Sequence, residues 1–209
     1  AVLKQLVLDE LGADQWQAVL AKAGIPEEAA FLEFKAHSDV ITVNAFIAAA
    51  HVLGQNLEDA LRTYGRYFAR SMFDGGHARL LMSMGDDLED FMRNLNHLHG
   101  MLSRDLRTSS FPYFEVDYGN ASKSSFKLSY YSVRSALLAP VVEGVLPVLA
   151  ESLFATRVSM VALAPKDGSC ATWYVWTSPL SWEAPPTPGP AAGNALQSLM
   201  AKWHDALMG

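Results

Sequence analysis

The chain has 209 residues, 50% of them apolar and 18% charged, the composition of a soluble globular protein with a core and room for an appendage. Its 22 acidic and 16 basic residues are interspersed and leave a net charge of −6, which excludes the basic stripe of a nucleic-acid binder and the polybasic patch of a membrane-surface protein. One cysteine, Cys170, excludes an internal disulfide and a cysteine-based zinc site. With no apolar run near the roughly 18 residues of a membrane span and no signal-peptide pattern, the expected location is cytoplasmic.

The chain starts without Met, inside an apolar-periodic segment (Val2, Leu3, Leu6, Val7), as a piece of a longer polypeptide would. Apolar residues then recur at three- and four-residue spacing through Val2 to Ala23, Ile41 to Leu53, Leu57 to Met72 and Asp86 to Leu106, which predicts a helical layer. Ser38-Asp39 and Asn56 read as N-caps; Gly12, Gly24, Gly54 and Gly75-Gly76 read as interruptions or ends. From Phe111 the period becomes two: "YFEVDY" and "FKLSYYSVR" predict a hairpin turned at "GNASKSS". Ser135 to Phe154 predicts a helix carrying two prolines, and "RVSMVALAP" and "CATWYVWTS" a second hairpin. The expected class is α+β, helices in front and a small antiparallel sheet behind. Residues 1–178 form the expected domain, 179–194 a Pro/Ala/Gly-rich linker, and 195–209 an amphipathic helix opening a following module.

Two constellations carry chemistry. In "NLNHLHG" the leucines of the helix cluster on one face; at about 100° per residue His99 lies roughly 55° from its centre and His97 roughly 145° away. His99 therefore faces inward and His97 solvent. An inward histidine is either a core residue satisfied by a carbonyl or a metal or haem ligand, because a neutral imidazole in an apolar wall is what five-coordinate haem iron requires. In "YYSVR", strand alternation projects Tyr130, Ser132 and Arg134 together, two hydroxyls and a guanidinium suited to a pair of carboxylates, unless the row is only the polar face of an edge strand.

Taken with "FMRNLNHLH", with "SSFPYF" and with "LSYYSVRSALLAP", these residues make the chain similar to the H-NOX family, the haem nitric oxide/oxygen-binding domain of soluble guanylate cyclases and bacterial gas sensors. "VLDELGADQW" and "VLGQNLEDALRTYGRYF" extend the similarity across residues 1–178. The resemblance implies haem b, ferrous and five-coordinate, with His99 as the proximal iron ligand. It further implies Tyr130, Ser132 and Arg134 on the haem propionates, Pro112 against the porphyrin face and Phe68 in the distal pocket. The chain departs from the family in lacking its first residues and in an extra residue around Leu137 to Pro140.

What the resemblance implies for function is a sensor of nitric oxide. NO weakens or breaks the iron–His99 bond, and the resulting shift regulates an output domain or partner beyond residue 209, a guanylate cyclase in the first instance. A stand-alone or chemoreceptor- or kinase-linked gas sensor is the alternative. A haem enzyme fits poorly, since peroxide chemistry needs a distal acid–base group and none is visible; the chain by itself is expected to be regulatory, not catalytic. From Ala136 to Val145 no side chain can donate a hydrogen bond, and the earlier helix offers Phe68, which predicts tight NO binding, weaker CO binding and no stable oxygen complex in air. Tyr67, beside Phe68, is the donor that would change this.

Overall fold

The computed structural model describes residues 2–26, 39–105, 111–118, 124–132, 136–163 and 170–180. The predicted segment Val2 to Ala23 divides into α1 (Val2–Leu11) and α2 (Ala13–Ala23), because Gly12 takes a φ of 86° that a side chain would strain. Gly24 closes α2 in the left-handed conformation. After α3 (Asp39–Val52), Asn56 caps α4 (Leu57–Met72), its Oδ1 accepting the Asp59 N–H at 2.9 Å. Ser38, the other expected cap residue, lies outside the described residues. At Gly75-Gly76 the backbone passes through a π-helical turn, Phe73–His77, into α5 (Ala78–Met82), with Gly76 at φ 81°. α6 (Leu88–Asp105) carries the two histidines.

The predicted hairpins form, and they join. β1 (Tyr113–Asp117) pairs with β2 (Ser125–Tyr131), and β3 (Thr156–Leu163) with β4 (Cys170–Pro179). β2 and β4 then pair antiparallel, Phe126 opposite Val175 and Leu128 opposite Trp173, giving one four-stranded sheet in the order β1-β2-β4-β3. β2 is thus a central strand. Between the hairpins runs α7 (Ala139–Phe154), which starts later than the predicted Ser135 because a 3₁₀ turn, Ala136–Leu138, leads into it. Pro140 sits in the first turn, where its missing N–H leaves no helix bond unmade, and Pro147 lies within the helix. The class is α+β, as the periodicities predict.

The described residues bury two apolar clusters. Leu6, Val7, Trp16, Val19, Leu20, Phe46 and Leu61 join α1 to α4. Phe91, Leu128, Leu146, Trp173, Val175 and their neighbours join α5, α6 and α7 to the sheet. α4 and α7 meet with backbone against backbone. A Cβ on Gly65 would stand 2.3 Å from the Val141 carbonyl oxygen, and one on Gly144 2.1 Å from that of Arg62, so only glycine fits at either position. The compact unit is Ala1–Pro179, with Leu180–Gly209 a second unit; the predicted helix 195–209 lies outside the described residues. Among the described residues no single helix is long and apolar enough to cross a membrane.

Candidate functional site

α6 is fixed at its start and free at its end. Leu88, Phe91 and Met92 are buried, whereas most residues from Gly100 to Asp105 are exposed. Both asparagines of "NLNHLHG" hold backbone. Asn94 Nδ2 donates to the Met84 carbonyl at 2.7 Å. Asn96 makes a two-way pair with Phe114 of β1, Nδ2 donating to its carbonyl at 2.6 Å and Oδ1 accepting its N–H at 2.9 Å. That pair sets the height of β1, and of Pro112 just before it, against α6.

His99 lies half-buried one turn further on, and His97 is exposed. The His99 ring stacks on Phe111 (5.5 Å, 29°) and tilts against Phe114 (6.2 Å, 38°). Its Nδ1 is 2.9 Å from the Pro112 carbonyl oxygen. Burial lowers the His99 pKa from the usual histidine value, partly opposed by the Pro112 carbonyl, so the ring is neutral near pH 7. A carbonyl only accepts, so Nδ1 carries the proton and Nε2 keeps a free lone pair. A neutral imidazole oriented by a backbone carbonyl is the state in which histidine ligates a metal.

Tyr130 is 6% exposed and sits between Phe114 (5.7 Å) and Trp173 (6.5 Å), so His99, Phe114, Tyr130 and Trp173 form one run of ring contacts. β2 ends at Tyr131, earlier than "FKLSYYSVR" predicts; Ser132, half-buried, follows the strand, and Arg134 lies outside the described residues. Strand geometry therefore accounts for the inward Tyr130 but not for a common face reaching Arg134. β2 lies at the sheet's centre, so Tyr130 is not on an edge strand.

Phe68 of α4 is half-buried, its ring stacked on Tyr64 one turn earlier (6.2 Å, 20°). Tyr67 points elsewhere: its hydroxyl donates to Asp9 of α1. Burial and the Asp9 carboxylate raise the Tyr67 pKa to about 12, and the same bond lowers that of Asp9. Tyr64 went unnoticed in the sequence because it shares its helix face with apolar neighbours. Its ring meets Phe46 edge-on at 4.9 Å, and it packs on the cluster that also holds Leu138 and Val141. Beside the Gly65–Gly144 crossing, Glu143 of α7 accepts from Arg62 Nε of α4 at 2.6 Å and from the buried Trp173 Nε1 of β4 at 2.8 Å. Arg62 is also held by Glu58 and Asp59.

Among the described residues no group of three His, Cys, Asp or Glu side chains could cage a bare metal ion. A single histidine with a free Nε2 suits instead an iron whose other ligands come from a macrocycle, and the ring-lined surroundings of His99 suit a flat apolar one. The donor set fits haem.

Comparison with known proteins agrees. Residues 1–162 match the family model described as Haem-NO-binding. The chain is 30% identical over 161 residues to soluble guanylate cyclase gcy-37 of Caenorhabditis elegans, covering 76% of this chain and 22% of that protein. It is 32% identical over 107 residues to guanylate cyclase soluble subunit beta-2 of Rattus norvegicus, covering 51% and 15%. The chain thus spans about a fifth of the length of these relatives. Among solved structures, the fold resembles the unliganded Fe(II) H-NOX protein of K. algicida, at TM-score 0.71 and 15% identity over 85% of this chain and 93% of that one. It also resembles the S. oneidensis H-NOX protein in its Fe(II)NO state, at TM-score 0.70 and 16% identity over 85% and 96%.

Proposed function

The chain belongs to the Haem-NO-binding family, a haem-based gas-sensor domain related to soluble guanylate cyclases, and from that premise we propose that it senses nitric oxide through ferrous, five-coordinate haem b held by His99. The carrying observation is the His99 imidazole, neutral and tied at Nδ1 to the Pro112 carbonyl, with Nε2 left to bind iron. Haem, when bound, would supply an iron that takes NO at the expense of its bond to His99 Nε2. Tyr130, Ser132 and Arg134 would hold its propionates, with Pro112 and Phe68 against its ring.

The protein's own response starts at His99. While tied to iron, the ring holds the far half of α6 in place. Once released, it remains attached to Pro112 and, through Asn96, to β1, so α6 and β1 shift together. The exposed end of α6 has the least packing to oppose that shift. Ligand state thus biases a two-position element, which any allosteric output requires. The output is a module beyond residue 209, a guanylate cyclase by analogy with the relatives, in a cytoplasmic protein, and CO is a second, weaker haem ligand.

The test is spectroscopic. Purified ferrous protein should show the Soret band of five-coordinate haem, and stoichiometric NO should convert it to a form lacking the histidine bond. A protein that takes up no haem, or keeps its histidine bond with NO in place, overturns the proposal.

A further inference from the structure

The two edges of the sheet differ. β1 is short and exposes Glu115 and Asp117, charges of the kind that keep another strand from pairing. β3, at the opposite edge, is longer, has no proline, and carries a single charge, Arg157, near its start. Among the described residues β3 is paired on one side only, with β4, so its outward N–H and C=O groups have no ladder partner there. Its last residues, Val161, Ala162 and Leu163, are all exposed. Strand alternation turns Val161 and Leu163 to the outer face and puts Ala162 on the core face with the buried Val158. Apolar side chains are therefore uncovered on both faces of the edge strand, a pattern that natural edges avoid unless something pairs with them.

The neighbouring strand extends the same patch. On the outer face Tyr174 of β4 stands opposite Val161 and Trp176 opposite Ser159, their rings edge-on at 4.6 Å, and Trp176 is 43% exposed. A molecule lying on that face would leave Ala162 and the backbone edge uncovered, whereas a strand continuing the sheet covers all three.

β3 can supply that strand to itself. An antiparallel pair about a two-fold axis at Met160 matches Val158 with Ala162, Ser159 with Val161 and Arg157 with Leu163 of the second copy. No like charges oppose each other, and the Arg157 stem lies along leucine while its head stays in water. Charge selects the same edge. Each chain carries a net charge of −6, so copies repel, yet the carboxylates of the strands all stand on β1, at the far side of the sheet.

We propose that β3 is a dimerisation edge, on which a second copy of this chain docks strand to strand and joins the two sheets into one. The inference stands apart from the haem reading. One strand pair with its flanking side chains is a small interface, so the association should be reversible, with a Kd of about 1–100 µM.

Sedimentation velocity of the full chain as purified, across that concentration range, tests it. The sedimenting mass should rise toward twice that of the chain. Val161→Lys, diagonal to Arg157 of the second copy, should weaken association about tenfold or more; Leu163→Lys, directly opposite that arginine, is the second variant should the first fail to fold. Both positions are exposed, so Tm should hold. Val40→Lys on α3 removes an apolar side chain that is 68% exposed and should leave association unchanged. A chain that stays monomeric throughout overturns the proposal. So does a dimer that ignores both lysines on β3, or that Val40→Lys weakens equally, because another surface then holds it.

Discussion

Replacing Glu143 separates two contributions to one contact. In Glu143→Ala, the Trp173 indole N–H loses its acceptor while remaining 2% exposed, which costs about 1–3 kcal/mol for an orphaned buried donor. Arg62 loses its partner too, but its side chain is 32% exposed and keeps Glu58 and Asp59, so that loss adds only about 0–1 kcal/mol after solvent screening. The total should be about 1–4 kcal/mol, from the same two principles. Glu143→Gln keeps an amide oxygen for the indole and loses only the charge and the bond from the partly exposed Arg62, toward which its NH2 would point, so it should cost about 1 kcal/mol or less. Urea unfolding followed by circular dichroism measures both, with Trp173→Phe as the second edge of a double-mutant cycle. If Glu143→Gln destabilises as much as Glu143→Ala, charge rather than the indole bond dominates and the reasoning fails; an Ala variant within about 0.5 kcal/mol of wild type refutes it outright.

Four further outcomes follow from the same contacts. His99→Gly should lose the five-coordinate ferrous spectrum unless imidazole is added, while His97→Ala, on an exposed face, should be near neutral; the reverse order contradicts the helix geometry. Because burial lowers the His99 pKa, the unfolded chain takes up its proton first as pH falls below about 6.5, so stability declines toward the lower folded value, and His99→Asn should flatten that slope in pH-dependent unfolding. Arg134→Ala should release haem faster than Ser132→Ala, by about 1.5–3 kcal/mol for charge-assisted bonds to propionates, measured as haem transfer to an acceptor protein. Ending the chain after Pro179 should leave haem content and Tm almost unchanged, since the compact unit closes with β4.

What the sequence disclosed and what it withheld divide by distance along the chain. Periodicity and capping are local signals, and they located α4 with its Asn56 cap, both hairpins and the opposite burial of His97 and His99. The β2–β4 pairing that makes one sheet of two hairpins is non-local and left no mark in either strand. Arg62 and Glu143 are 81 positions apart, and Tyr67 and Asp9 58, so no helix wheel could show that each charge had a partner or that Tyr67 is occupied. Asn96 stood in plain view beside the histidines, and only its reciprocal bonds to Phe114 show why the residue there is an amide.

The bare crossing of α4 and α7 has a mechanical consequence. Where side chains interdigitate, one helix can turn on another only by changing rotamers, and those discrete steps make packed interfaces jump between states. At Gly65 and Gly144 there are no rotamers to change, and peptide planes slide on peptide planes. Resistance to turning must therefore come from neighbouring groups. Within a turn of the contact on both helices, the Arg62–Glu143–Trp173 bonds supply it, gripping a joint that is otherwise smooth.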